Sequence, residues 1–316
     1  MNEYIDVERL EFVITNKCSG KCKHCSAIFS ANNESIDVQT AINIINELCK
    51  KYSLNSLMTF GGEPLLYADT VCKIHETAFK NNVKNRELIT NGYFSKNIDV
   101  IDETARKLCE SNISKVLLSV DAFHQETIPI EPVIHFANAL VKYGFKGLKT
   151  HPAWLVNKDH GNSYNKRTRE ILNIFLEIGI EPSNGNIIFP AGNAIKYLRE
   201  FFQKPDEDEL FLPCGSLPYT EKIDEIKSIS INPNGDVSIC SFSIGNVYDK
   251  NILEIVEQYD PFSSIYTKMI VEGGVKKLFD YALEQGLKID MEDCYSTCML
   301  CKKIMDALKM SSEKSS

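Results

Sequence analysis

The chain has 316 residues, 43% hydrophobic and 25% charged, with a net charge of −8. That is enough apolar material for one large α/β domain and a smaller appendage. The acidic balance excludes a broad, non-specific grip on nucleic-acid backbones and leaves only a specific RNA open. No apolar run approaches the length of a bilayer span, and Met1–Glu11 already holds Glu3, Asp6, Glu8 and Glu11 where a cationic leader would stand. The reading is a cytoplasmic protein with no membrane partner.

The first two-thirds alternate short β-type runs with helical stretches, the pattern of a parallel sheet with crossover helices. Strands are expected at Leu10–Thr15, Ser56–Phe60, Glu87–Thr90, Val116–Val120, Gly147–Thr150 and Asn186–Phe189. Helices are expected at Val38–Tyr52 with Asp37 as N-cap, Ala68–Lys80, Ile98–Cys109, Pro132–Tyr143 closed by Gly144, Thr168–Ile178 and Ala194–Phe202. Six β–α units are too few for a closed eight-unit barrel and fit a partial one. Polar residues and glycines gather just after the strands, at Asn16, Gly61-Gly62-Glu63, Asn91, Asp121, His151 and Ala191-Gly192-Asn193. In parallel α/β folds the strand C-terminal ends carry the chemistry.

Beyond the acidic stretch Asp206–Glu209, read as a solvated linker, the pattern changes. Ile226–Ile231 and Asp236–Cys240 flank Asn232-Pro233-Asn234-Gly235 and read as a β-hairpin. Helical segments follow, and residues 311–316 read as a disordered tail. The expected fold is a partial (β/α)6 TIM-like barrel over residues 8–205, with a hairpin-plus-helix cluster-binding extension over 206–310.

An odd count of eleven cysteines in a cytosolic chain suits thiolate metal ligands better than disulfides. Cys49, Cys72 and Cys109 fall in amphipathic helical patterns and read as small core residues. Cys18, Cys22 and Cys25 follow the first strand in one tight loop, curled at Gly20. Three thiolates on a four-iron cluster leave one iron open to a small molecule, while a zinc site would want four protein ligands. Lys17, Lys21 and Lys23 partly offset the cluster's charge.

Cys18-x-x-x-Cys22-x-x-Cys25 resembles the cluster motif of the radical S-adenosylmethionine (SAM) superfamily, and the resemblance covers roughly residues 10–200. Its usual aromatic position before the third cysteine holds His24, placed to lie against adenine. Gly61-Gly62-Glu63-Pro64 matches the motif for the methionine amino group, with the backbone and Glu63 accepting from an ammonium. Ile89-Thr90-Asn91-Gly92 and Leu118-Ser119-Val120-Asp121 look like the third- and fourth-strand segments, with Asn91 at the cofactor and Ser119 near the ribose. The resemblance implies an iron that binds SAM, an electron donor such as flavodoxin or ferredoxin, and reductive cleavage to a 5′-deoxyadenosyl radical. That radical takes a hydrogen atom from a substrate at the barrel mouth.

Cys214, Cys240, Cys294, Cys298 and Cys301 form a later group, four of which suffice for a second 4Fe–4S cluster. Together with Asn234–Cys240 and Ile244–Val247 it resembles a shortened auxiliary-cluster (SPASM/twitch-like) domain of radical peptide-modifying enzymes. The fifth thiol is either free or a hydrogen-atom donor. Peptide epimerases use such a thiol beside a hairpin cysteine, where Ser241 stands here, which counts against epimerisation. Zinc is the alternative metal for this group.

Asp121, His124 and His151 are the candidate catalytic residues at the mouth, against the plainer reading of a capped loop and a packed histidine. Trp154 is a candidate stacking surface, and Asn157–Asn165 a candidate lid. The expected activity is modification of a peptide or protein side chain. One rival is a small-molecule radical enzyme with a spare open iron in the extension. The other is a non-catalytic electron-transfer or scaffold protein, which would form no 5′-deoxyadenosine.

Overall fold

Alternation along the first strand decides how the sheet is covered. In β1 (Ile5–Val13) Leu10 and Phe12 are buried, whereas Arg9 and Glu11 between them remain half-buried. The computed structural model describes residues 2–26, 35–218, 220–240 and 242–315, without the side chains of 312–315. The parallel units follow in chain order: α1 (Val38–Lys51), β2 (Ser56–Phe60), α2 (Ala68–Lys80), β3 (Asn85–Thr90), α3 (Ile98–Glu110), β4 (Lys115–Leu118), the single turn α4 (Ala122–Gln125), α5 (Ile130–Lys142) and β5 (Leu148–Thr150). Asp37 caps α1 by accepting from the Thr40 N–H, as its position predicts. Ala41, Ile44, Ile45 and Leu48 of α1 and Val71, Ile74 and Ala78 of α2 cover the apolar sheet face. Burying each large aliphatic side chain stabilises by about 2 kcal/mol. Cys72 lies in this core, and Cys49 and Cys109 pack against it.

The remaining elements are β6 (Ala153–Trp154), α6 (Ser163–Glu177), β7 (Asn186–Ile187), α7 (Asn193–Leu198), β8 (Ile226–Ile231), β9 (Asp236–Ile239), β10 (Phe242–Asn246), α8 (Ile252–Glu257), α9 (Ile265–Glu284) and α10 (Thr297–Ser315). The sixth strand of the barrel is present but interrupted. Thr150 exchanges backbone bonds with Glu181 and Ser183, and further on β6 pairs in parallel with β7. Pro152 and Pro182, which have no N–H to donate, fall at the break.

The main sheet has the order β10-β9-β8-β1-β2-β3-β4-β5, so the hairpin of the extension joins the barrel through a parallel β8–β1 pairing. Periodicity gave no sign of that pairing. Two local readings change. Asp206–Glu209 is not a loose linker, because Leu210 beside it is buried in the C-terminal core and the Glu209 carbonyl accepts from Thr297 Oγ1 at 3.0 Å. The chain is helical through Ser315, where a disordered tail was expected, and Ser316 lies outside the described residues. Among the described residues no helix is long and apolar enough to cross a membrane.

Candidate functional site

The ends of β1, β2 and β3 are tied into one unit around the three-cysteine loop. Gly62 N–H donates to the Thr15 carbonyl at 2.7 Å and Glu63 N–H to the Lys17 carbonyl at 2.8 Å. A Cβ on Gly62 would come within 2.2 Å of that Lys17 oxygen, so the motif glycine is required by the cluster loop itself. Glu63 is fully buried, with Oε1 accepting from Leu65 N–H and Thr90 Oγ1 and Oε2 accepting from Asn91 N–H. Both oxygens are thus committed to the chain, and burial pushes the carboxyl up to about 7. The side chain expected to meet an ammonium is a tie between strands in this structure, and the neighbouring Pro64 is buried at the start of the following 3-10 turn.

Asn91 Nδ2 donates to Cys18 Sγ at 3.6 Å and to Ser19 Oγ at 3.2 Å. Ser119, nearly buried, donates its N–H to the Thr90 carbonyl at 2.8 Å. Burial pushes the thiol of Cys18 up to about 11 and that of Cys22 to about 12; Cys25 acts on both in the same direction, and Cys18 on Cys22. Without metal these thiols hold their protons, and cations binding there must displace them. The nearby carboxylates of Glu63 and Asp121 are both occupied by the chain's own donors.

Asp121 is fully buried. Its Oδ1 accepts from Phe123 and His124 N–H, and its Oδ2 from His124 Nδ1 at 2.8 Å and Ala153 N–H at 3.0 Å. Burial alone would raise its pKa, but the adjacent His124 outweighs that and the net shift is downward. His24 lies 5.1 Å from the Phe123 ring and 4.7 Å from the His124 ring, with Nδ1 buried and unpartnered among the described residues. Burial pushes it down to about 4, so its imidazole is neutral. His24, Asp121 and His124, separated in sequence, bring ligand-type atoms within 4.8 Å of one another. His151 is mostly buried and bonds Ser183 Oγ through Nδ1 at 2.7 Å, and burial lowers its pKa.

Two mouth readings fail. Trp154 is buried with Nε1 donating to the Asn184 carbonyl, so it offers no stacking face. The lid segment is pinned, because buried Asn165 bonds the Leu155 N–H and the carbonyls of Leu155, Asn157 and His160. Sequence reasoning also missed two ties, Thr90 on Glu63 and Asn193 on the cysteine loop.

In the extension four of the five cysteines converge. Cys214, Cys240, Cys298 and Cys301 line one pocket whose other walls include Leu217, Phe242, Ile270 and Val275. Cys298 is hydrogen-bonded to Cys240, which with burial raises its pKa, and burial lifts Cys301 to about 12. Cys240 takes a left-handed φ of 49° that turns it out of the hairpin. Cys294 is absent from this pocket and sits 3% exposed in the C-terminal core with Leu278, Leu300 and Ile304. Four soft sulfur donors in an apolar wall, with no carboxylate or imidazole among the described residues that line it, fit an iron–sulfur cluster.

A partial parallel barrel with three thiols at its mouth and four more in an appended module defines an iron–sulfur protein of the α/β class. Residues 12–204 match the radical SAM superfamily, and residues 224–302 match the SPASM iron–sulfur cluster-binding domain. The chain belongs to the radical SAM superfamily and carries a SPASM domain. Cys214 stands ahead of the matched SPASM segment, although the fold brings it into the same pocket. A "Probable GTP 3',8-cyclase" of Methanocaldococcus jannaschii is 31% identical over 122 residues, 38% of this chain and 39% of that protein. A second, from Methanococcus aeolicus, is 26% identical over 38% of this chain and 40% of its own. The match therefore spans about two-fifths of these curated relatives. The solved structure of histidine-tagged anSMEcpe with bound AdoMet aligns at a TM-score of 0.51 over 97% of this chain and 94% of that one, at 14% identity. Native anSMEcpe with bound AdoMet and Cp18Cys peptide gives 0.50 over 97% of each. At such identity the likeness is one of fold.

Proposed function

We propose that this radical SAM enzyme modifies a side chain of a peptide or protein. Residues 8–205 form the catalytic core and 206–310 the auxiliary-cluster extension. Cys18, Cys22 and Cys25 would hold a 4Fe–4S cluster. SAM would bind beside it, bounded by the backbone of Gly61 and Gly62 and by His24, Asn91 and Ser119. When bound, the cluster supplies the electron that splits SAM to the 5′-deoxyadenosyl radical, drawn from a donor such as flavodoxin or ferredoxin. The chain's own part is to hold the loop, exclude water and orient the substrate beside the Asp121–His124 pair. Cys214, Cys240, Cys298 and Cys301 hold the second cluster.

The observation that supports the peptide reading is the convergence of four thiols on the later pocket. A cluster held by all four would leave no iron open, and a small-molecule enzyme that binds its substrate on the second cluster needs one. Partial identity to GTP cyclases favours the small-molecule reading, but it covers only 38% of the chain.

The test is anaerobic. Reconstituted full-length protein with dithionite and SAM is expected to form 5′-deoxyadenosine, faster when peptides encoded beside its gene are added, with deuterium passing from labelled peptide into the nucleoside. Absence of 5′-deoxyadenosine removes the catalytic reading, and stimulation by GTP instead of peptide removes the peptide reading.

A further inference from the structure

The concave face of the sheet carries charge where a parallel barrel ordinarily packs aliphatic side chains. One row in strict register crosses five strands: Ser230 opposite Glu11, Glu11 opposite Met58, Met58 opposite Glu87, and Glu87 opposite Lys115. Arg9, one pleat away on the same face, reaches into it. Its guanidinium meets Glu11 at 2.6 Å and Glu87 at 3.6 Å, while Lys115 meets Glu87 at 2.8 Å and Ser230 Oγ donates to Glu11 at 3.0 Å. The alternating residues Leu10, Leu57, Leu88 and Val116 are fully buried on the helix-covered face.

The row is wet. Arg9, Glu11, Glu87 and Lys115 keep 29%, 24%, 15% and 41% of their side-chain exposure, although they point to the inside of the curved sheet. Two cations and two anions give it no net charge. Such a set is a poor way to stabilise a core, since apolar replacements of similar volume do as well or better. It also lies near the chemistry. Lys115 and Glu87 both act electrostatically on His151, together with Asp121 and His124. Glu87 is three residues below the end of β3, so the row sits about 10 Å beneath the strand ends.

We propose that this row is the floor of the substrate chamber and receives a short zwitterionic peptide lying along it, with its ammonium on Glu11 and Glu87 and its carboxylate on Arg9 and Lys115. The row runs from β1 to β4, about 14 Å, the reach of about four extended residues. The inference rests on the peptide reading and narrows it. A nucleoside triphosphate brings several negative charges and no ammonium, so it would leave Glu11 and Glu87 facing its phosphates beside only two cations, and the row favours the zwitterion over it.

The buried Trp154 is the chain's single tryptophan and reports on the mouth by its fluorescence. Reconstituted full-length protein with SAM bound is titrated with the tripeptide Lys-Gly-Asp, with its N-acetylated, C-amidated form, and with GTP. Heat release serves as a second readout. The expected result is saturable binding of the free tripeptide, at least tenfold weaker binding of the blocked form, and none of GTP. The paired substitution Glu87→Gln with Lys115→Met keeps volume and removes both charges, and should abolish the preference for the free form. Equal binding of free and blocked peptides, no peptide binding, or tighter binding of GTP overturns the proposal. Formation of 5′-deoxyadenosine in the same preparations reports separately on the radical reading, so the two failures are distinguishable.

Discussion

The main-chain N–H of Asn193 donates to the Cys25 carbonyl at 2.9 Å, and its side-chain amide donates to the Cys22 carbonyl at 3.1 Å. A turn 171 residues beyond Cys22 thus holds two of the three loop cysteines. Gly192 makes the approach possible, because its φ of 56° and the 2.9 Å from a built Cβ to the Cys25 oxygen exclude any side chain. The short helix α7 therefore helps to position the three-cysteine loop from the far end of the barrel.

Asn193→Ala removes the bond to Cys22 and keeps the backbone bond to Cys25. The expected loss of stability is about 1 kcal/mol, the usual net value of one such bond. The larger effect is expected on the cluster, whose loop loses one of the two bonds that Asn193 gives it. Iron per chain after reconstitution, and the rate of visible bleaching in air, should show a weaker first cluster. Asn193→Asp, which cannot donate to the carbonyl, should behave no better than alanine. Unchanged iron retention in both variants would show that the clamp is dispensable.

Glu63 sets a pH dependence. Burial raises its carboxyl from the ordinary 4.5 to about 7, so the folded chain binds a proton more tightly than the unfolded chain. A raised folded value gives stability that is complete below pH 4.5 and is lost as pH climbs through 7. The fall amounts to roughly 3 kcal/mol at most, and the curve is flat above that window. Buried His24, held neutral, contributes a slope of the opposite sign up to its ordinary 6.5, so the Glu63 share is read as a difference: in denaturant melts of metal-free protein between pH 5 and 8 the parent should lose stability with pH relative to Glu63→Gln. A slope equally steep in Glu63→Gln would assign it to another group.

The cysteine loop was legible because its ligands are local, three thiols within eight residues after a recognisable strand. The ties of Glu63 to Thr90 and Asn91 were not legible because those partners lie 27 and 28 residues away, at the end of the neighbouring strand. The later cysteines show the same limit. Cys294, Cys298 and Cys301 repeat the first spacing, yet α10 begins at Thr297. Cys298 and Cys301 are then one helical turn apart and share a face. Cys294, ahead of the helix, turns into the apolar core. Cys214 and Cys240 meet them only through the hairpin that β8 docks on β1, a long-range pairing that no local pattern encodes.

That division predicts a metal count. Serine at Cys214, Cys240, Cys298 or Cys301 should lower iron from about eight per chain to about four, while Cys294→Ala should leave about eight. Elemental analysis of anaerobically reconstituted protein checks it. About four irons with one zinc in the parent chain would give the second site to zinc instead. Iron lost from Cys294→Ala alone would mean that the pocket rearranges to include that thiol.

Val156 offers a test free of cofactors. It follows β6 with a φ of 70°, the left-handed region, which a β-branched side chain enters at a cost of about 1–2 kcal/mol. Its side chain is 37% exposed, so little packing compensates. Val156→Gly relieves the strain but loosens the unfolded chain, and Val156→Asn relieves it with less of that penalty. Asparagine should therefore raise the thermal midpoint by about 2 °C, and glycine by less. Strain of this kind concentrates beside working sites, and the loop it occupies is anchored by Asn165 next to the barrel mouth. If the strain aims that loop at substrate, the stabilised variants will form 5′-deoxyadenosine normally without peptide and respond less to it. A midpoint that falls in both variants would show instead that the valine is held by packing.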